Sequence, residues 1–474
     1  MLFNTLDFWL FFGIVYGVYR LLGMRGQNLW LLGASYVFYA FWDYRFVGLL
    51  VLSTGVDWLL ARRISREASR EGAKKWVAVS VTVNLIFLGT FKYFNFFVSS
   101  FAALLEGIGL QANLPVLEIV LPVGISFYTF QSMSYIVDVY RGDVEPSASF
   151  VEFALFVAFF PHMVAGPIMK AKVLLPQMGR PRIISWNDVS EGFHLAMVGL
   201  FKKVVIADNL APIADLVFSR ELGYRPGVLH VGALAFAFQI YADFSGYSDI
   251  ARGAARMMGF TLMENFNAPY LASSITDFWR RWHISLSTWL REYLYIPLGG
   301  NRGTSRQTYR NLMITMVLGG LWHGAAITYV VWGAYQGVLL AVERWFRSLG
   351  RASAAVAPRL WSAPLQLLRI AITFHFVCLG WIYFRATPDS PLLMMTRRFI
   401  DPAGWLAMPW AQLAPALLAI APMLALDLAR HLSARELVLL SLPWPIRGVL
   451  YAALTYLFIL LGRFDSHAFI YFQF

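Results

Sequence analysis

Apolar positions run in long blocks along the chain, separated by short polar connectors. Blocks cover residues 5–22, 28–42, 46–61, 76–98, 118–137, 150–168, 192–218, 228–247, 312–342, 365–384, 411–428 and 444–462. A helix needs about 20 apolar residues to cross the hydrocarbon core. The pattern therefore predicts an all-α polytopic membrane protein, with roughly ten to twelve membrane-embedded helices, re-entrant segments included, around a central cavity. No period of 20–50 residues, low-complexity tract or soluble module interrupts it. Residues 1–474 read as one membrane domain, with the Ala/Pro/Arg-rich connector 347–364 as the best linker.

The charges in the connectors orient these blocks. Arg62, Arg63, Arg66, Arg70, Lys74 and Lys75 form the most basic connector of the first half. Basic connectors stay in the cytoplasm. Counting back two crossings, Arg20 and Arg25 are cytoplasmic as well, and the N-terminus lies outside. The block 76–98 then runs outward to a loop over 105–115 that holds Gly107, Gly109, Asn113 and Pro115. Two further blocks, 118–137 and 150–168, precede Lys170, Lys172, Arg180 and Arg182, again a cytoplasmic cluster. Two full crossings would put that cluster on the wrong side, so one of the two blocks is expected to be re-entrant. Pro122, Gly124, Pro161, Gly166 and Pro167 fit broken helices, which membranes tolerate where protein encloses them.

Composition strengthens this picture. Of 474 residues, 58% are hydrophobic and only 14% charged, and mean hydropathy is +0.58. A soluble protein carries about 25% charge. The net charge of +12 sits in the connectors, so it points to topology and anionic headgroups and not to nucleic acid. A phosphate-bearing substrate on the same side is a second reading. Cys378 is the single cysteine and lies in an apolar block, which excludes an intramolecular disulfide, a redox pair and a thiolate metal cluster. The first block has no basic segment before it and no small-residue cleavage site after it, so it is expected to be a retained span.

Residues 276–324 depart from the membrane pattern. In TDFWRRWHISLSTWLREYLYIPLGGNRG, Phe278, Trp282, Leu286, Trp289 and Tyr293 recur at helical spacing. One amphipathic helix is expected, lying at the interface or lining a polar cavity. Thr276 is its expected N-cap, Asp277 sits near the positive helix end, and Pro297 with the Gly299–Gly303 loop ends it. After the loop, the apolar run Leu312–Trp322 holds only 11 residues before His323, which is flanked by Gly319, Gly320 and Gly324. Such a run cannot span the bilayer. His323 is therefore expected at membrane depth, where an ionisable residue is a functional candidate. It could equally be a histidine bonded to the backbone of a neighbouring helix. His283, with Ser287 one turn on, is either an interfacial helix residue or a second functional group.

Other chemistry is sparse. His162, in FFPHMVAGP, could shape a re-entrant turn; His194, His230, His375, His431 and His467 are scattered singly. No His-Glu-x-x-His, zinc-like cluster, nucleophile-elbow serine, Walker loop or Gly-x-Gly-x-x-Gly loop occurs, and no metal or tightly bound cofactor is expected. In DFSGYSD, Asp243 and Asp249 with two serines are either ion or substrate ligands or helix caps at the end of an apolar run.

The sequence WRRWHISLSTWLREYLYIPLGGNRG followed by LGGLWHGAAITYVVWG resembles the signature of membrane-bound O-acyltransferases, most closely the alginate O-acetyltransferase branch of bacteria. NLWLLGASYVFYAFW, LPVGISFYTFQSMSYIVDVYRGD, FFPHMVAGPI, FSGYSDIA and the closing YFQF extend the resemblance over nearly the whole chain. It implies an acyltransfer core near 240–345 and an acetyl relay in the bacterial inner membrane. The donor would be a cytoplasmic thioester, acetyl-coenzyme A. The acceptor side would involve a periplasmic serine-dependent acetyltransferase that decorates a secreted polysaccharide such as alginate or cellulose. His323 matches the family's essential histidine and His283 its companion. Trp282, Trp322 and Asn301 belong to the same motifs and are expected at the substrate, while Asp277, Arg280 and Arg281 could line the donor's entrance or form a solvated face. Gln336 stands where alginate-type members often have a further histidine, and Ala326-Ile327 replaces a common Asn-Trp.

The chemistry of the residues agrees with this. A thioester needs a base to activate the attacking hydroxyl, and imidazole titrates in the right range. Two alternatives stand beside the relay: a D-alanyl transferase acting on teichoic acid, and a polysaccharide or lipid transporter, for which the expected inverted repeats are absent from the sequence.

Overall fold

The computed structural model describes residues 1–110, 120–164, 166–219, 223–350, 362–463 and 469–470, and among them there is helix and no strand. Asn113, Pro115, most of the connector 347–364, His467 and the closing YFQF lie outside the described residues. The chain is a polytopic helical membrane protein. Among the described residues, five helices are long and apolar enough to cross a membrane: Arg70–Gly107, Gly227–Met257, Ala363–Arg385, Ala416–Ser433 and Trp444–Leu461. On the last of these, Val449, Tyr456 and Ile459 are exposed, as suits a helix whose surroundings are acyl chains rather than water. The fold divides into two compact units, Met1–Phe193 with Ala251–Met263, and His194–Ile250 with Glu264–Phe474.

In the first unit, helices Leu6–Leu21, Met24–Asp43 and Arg45–Arg66 occupy the first three apolar blocks. Their ends follow local chemistry: Thr5 caps the first through its hydroxyl, and Ser69 caps Arg70–Leu88 by accepting from Gly72 N at 3.0 Å. Asp57 would be costly among apolar side chains if unpaired. Its carboxylate accepts from Ser80 Oγ (2.6 Å) and Asn84 Nδ2 (3.0 Å), which ties Arg45–Arg66 to Arg70–Leu88. Of the two blocks of which one should be re-entrant, the first forms Ile125–Arg141. The second breaks at Phe159 into Phe150–Ala158, 9 residues long, and Phe160–Met163. A 9-residue helix is about 14 Å long at 1.5 Å per residue, too short for a crossing.

The second unit carries the central block. The helix Pro226–Met257 runs unbroken through DFSGYSD. Asp243 and Asp249 are therefore mid-helix residues, not caps at the end of an apolar run. They meet two buried lysines: Lys203 Nζ lies 3.0 Å from Asp243 and 2.8 Å from Asp208, and Lys202 Nζ lies 2.7 Å from Asp249. Both lysines sit in a π-helical stretch, Phe201–Ala207, inside the block read as apolar. Close approach of the two segments depends on paired glycines. A Cβ on Gly199 would lie 2.5 Å from the Gly246 carbonyl, and one on Gly246 would lie 2.7 Å from the Gly199 carbonyl.

Residues 305–350 form an antiparallel helical hairpin. A reciprocal capping box, with Thr304 Oγ1 accepting from Gln307 N and Gln307 Oε1 accepting from Thr304 N, starts Ser305–His323. Extended backbone at Gly324 ends it, and Ile327–Gly350 returns. Glycines allow the return helix to pack at backbone distance: a Cβ on Gly320 would lie 3.0 Å from Gly333 Cα, and one on Gly333 would meet the Met316 carbonyl. The block 312–342 is thus two helices with His323 at the bend, not one continuous span.

Candidate active site

The aromatic stripe of the central block is buried as its spacing implies, with Phe278, Trp282 and Leu286 each 1% exposed. The single amphipathic helix is not formed. Ile275–Arg281 ends when Trp282 turns extended, and Ile284–Leu290 starts afresh, followed by the π-helical turn Arg291–Tyr295. The N-cap is Ser274, whose Oγ accepts from Asp277 N at 3.1 Å, and not Thr276, whose N–H donates to Glu343. Helical spacing survives the break because both pieces bury the same side.

The break sets His283. Its backbone is left-handed, φ 42° and ψ 56°, a conformation that costs a residue with a Cβ about 1–2 kcal/mol. Asn265 holds it there. Its carbonyl accepts from Ile284 N (3.0 Å), and its Oδ1 accepts from Ser285 Oγ (2.8 Å) and Ser285 N (3.2 Å). A regular helix through residue 283 would point the imidazole elsewhere. As built, the His283 ring is fully buried, with its centroid 4.7 Å from Phe244, 5.9 Å from Trp322 and 6.4 Å from His323. His283 lies on none of the five long apolar helices. Burial, which disfavours the charged imidazolium, pushes its pKa down to about 3.

His323, at the bend of the hairpin, is enclosed by rings. Trp322, Trp332 and Phe384 have centroids at 5.0, 5.2 and 5.3 Å. Trp282 packs one layer out, tilted against Trp381 at 4.8 Å. The structure thus brings His283, His323, Trp282 and Trp322 into one aromatic-walled centre, from segments 40 residues apart in sequence (323 − 283).

A cavity of about 750 Å³ opens in the same unit between the hairpin and the short helices. Arg280, Arg291, Arg344 and Arg347 line it, with Trp279 and Asn301. Arg347 pairs with Glu343 and Arg291 with Glu292, while Arg280 and Arg344 make no ion pair among the described residues. At the wall, burial pushes the Tyr295 phenol above its usual pKa, against the opposing pull of Arg344. Asp277 and Arg281 do not line the cavity; they pair with each other at 2.9 Å. Arg280 and Asn301 do line it. The sequence pattern does not single out Arg344 and Arg347, because they follow the apolar block 312–342 and Arg347 opens the connector read as a linker. Their spacing of three residues, one turn apart, is the signal that marks them. The cavity reaches Thr315 and Met316; from Met316 to His323 is about 10 Å along the helix. Trp279 on the cavity wall packs 5.8 Å from Trp332, which packs on His323. No group of three or more metal-ligating side chains occurs among the described residues.

A buried histidine pair beside a cationic cavity suits acyl transfer, and comparison with known proteins decides the family. Residues 143–384 match the family model of MBOAT, the membrane-bound O-acyltransferase family. The chain belongs to that family. It is 49% identical to "Probable alginate O-acetylase AlgI" of Azotobacter vinelandii, over 80% of this chain and 73% of that one. It is 50% identical to the protein of that name from Pseudomonas aeruginosa, over 80% and 70%. A "Peptidoglycan O-acetyltransferase" of Helicobacter pylori is 36% identical over 81% of this chain and 77% of that one. The protein is therefore a membrane O-acyltransferase, and the transporter reading falls away.

Proposed function

We propose that the protein takes an acetyl group from acetyl-coenzyme A at the cytoplasmic face of a bacterial inner membrane and passes it outward for O-acetylation of a secreted polysaccharide. The observation that carries this reading is His323 at the bend of a helical hairpin with the His283 ring centroid 6.4 Å from its own, and a cavity lined by four arginines in the same unit. Guanidinium groups bind phosphate oxygens through planar, charge-assisted hydrogen bonds. A nucleotide thioester carries such phosphates, and Trp279 offers a ring face for its base.

In the reaction, the acceptor hydroxyl loses its proton to His323, its oxygen attacks the thioester carbonyl, and the C–S bond breaks. His323 then returns the proton to the leaving thiolate. His283, neutral and held by Asn265, orients the acyl group. The chain has no nucleophile-elbow serine, so a periplasmic serine-dependent acetyltransferase is the partner that completes transfer to the glycan. Relatives named for alginate and for peptidoglycan support a polysaccharide acceptor without choosing one.

The test is His323→Gln, which keeps hydrogen bonding and volume but cannot take a proton near neutral pH. General-base catalysis contributes roughly 10²- to 10⁴-fold. Polymer O-acetyl content at matched membrane levels should therefore fall to near background. Near-normal acetylation would leave His323 a packing residue.

A further inference from the structure

The acyl transfer described above needs a group that stabilises negative charge on the thioester oxygen as the tetrahedral intermediate forms. Neither histidine is required for that, and two other donors stand on the return helix of the hairpin, one of them packed on His323. Trp332 is 2% exposed, and its indole Nε1–H has no hydrogen-bond partner among the described residues. Leaving a buried donor without a partner is costly, so its retention next to His323 calls for a ligand. One turn further along the same helix, Gln336 accepts from Trp279 Nε1 through its Oε1 at 3.3 Å. That bond assigns the amide and turns its Nε2 donor the other way.

Both donors converge on Gly380. A Cβ built there would lie 2.6 Å from Gln336 Nε2 and 3.6 Å from Trp332 Nε1. Gly380 puts no side chain over these two N–H donors, and it lies on the helix whose Trp381 and Phe384 pack around the site. Trp332 also packs between the cavity-lining Trp279 (5.8 Å) and His323 (5.2 Å), on the side of the histidine that faces the cavity wall.

We infer that Trp332 Nε1 and Gln336 Nε2, over Gly380, form the oxyanion hole that holds the thioester carbonyl oxygen of the acyl donor. This rests on His323 acting as the base. The two donors hold the oxygen while the hydroxyl oxygen bonds to the carbonyl carbon and its proton goes to His323. As the carbonyl re-forms, the electron pair leaves with the thiolate sulfur, which takes the proton from His323. Atoms and charge balance without a further reactant. The reading also gives residue 336 a use: the position needs an N–H donor, which glutamine supplies.

The experiment uses the full chain in proteoliposomes with radiolabelled acetyl-coenzyme A, following acetyl transfer or thioester hydrolysis. Trp332→Phe keeps a ring and removes the donor. Loss of one oxyanion-hole donor lowers kcat by about 10²–10³-fold, and donor KM and the pH midpoint should not move, because ground-state binding and the base are untouched. Replacing Trp332 by its benzothiophene isostere, with sulfur for N–H, keeps the full shape and should give the same loss. Gly380→Ala places a methyl group against both donors and should also lower kcat. Wild-type kcat in the isostere overturns the proposal even if the phenylalanine variant is unstable. A loss confined to donor KM does so as well. His323→Gln run in parallel separates the two readings: activity there removes the general base, whereas an inactive His323→Gln with an active isostere removes only the oxyanion hole.

Discussion

At the scale of single residues, the site depends on one strained backbone position. His283 keeps its left-handed conformation because Asn265 binds both residues that follow it. Asn265→Ala removes the Oδ1 acceptor of Ser285 N–H and hydroxyl, and each such hydrogen bond contributes about 0.5–1.5 kcal/mol. The variant should melt lower in detergent and acetylate weakly with His323 intact; full activity would show that the turn holds without its acceptor. Burial keeps His283 neutral down to about pH 3, so its titration lies below the working range. His283→Gln should therefore slow the reaction more mildly than His323→Gln, with the pH midpoint of the wild type unchanged. A moved midpoint would make His283 the titrating group instead.

Elements carry the next level. The hairpin Ser305–Gly350 brings His323 to its bend because Gly320 and Gly333 admit backbone contact. Gly333→Leu would drive a side chain into the Met316 carbonyl and separate the helices. Acetylation should be lost while membrane insertion persists, measured as O-acetyl content against immunoblotted protein. In the same unit, Lys203 offsets two buried carboxylates, Asp208 and Asp243. Breaking a buried pair by removing one partner costs about 3–5 kcal/mol. Lys203→Met should lower the unfolding temperature strongly, and Lys203→Met with Asp243→Asn should recover part of the loss. Equal stability of the single and double variants would argue against charge pairing as the cause.

For the whole molecule, the charge pattern sets orientation. With Cys378→Ser as background, a cysteine at position 70 should resist a membrane-impermeant thiol reagent added to sealed cells, since the charge pattern predicts a cytoplasmic connector over 62–75. Strong labelling would invert the topology. Expressed alone, the chain should leave the glycan unacetylated, and co-expression with a periplasmic serine acetyltransferase should restore O-acetyl groups. Full acetylation by this chain alone would eliminate the relay.

Much of this was legible along the chain. Apolar block length determined the helical, membrane-embedded character, because hydrocarbon thickness acts on every crossing alike. The blocks at 5–22, 28–42 and 46–61 match helices Leu6–Leu21, Met24–Asp43 and Arg45–Arg66. The short apolar run before His323 singled out that histidine as a functional candidate, and the motifs around His283 and His323 pointed to acyltransfer. Tertiary structure decided the rest. Helical periodicity could not reveal the break at Trp282–His283, since two short helices that bury one side share the spacing of a single long one. Nor could it pair Lys203 with Asp243 across 40 residues (243 − 203) or gather Arg280, Arg291, Arg344 and Arg347 around one cavity. Sequence records which side chains prefer lipid; which charges and donors meet depends on how closely the helices pack, and glycines at 199, 246, 320, 333 and 380 set that distance.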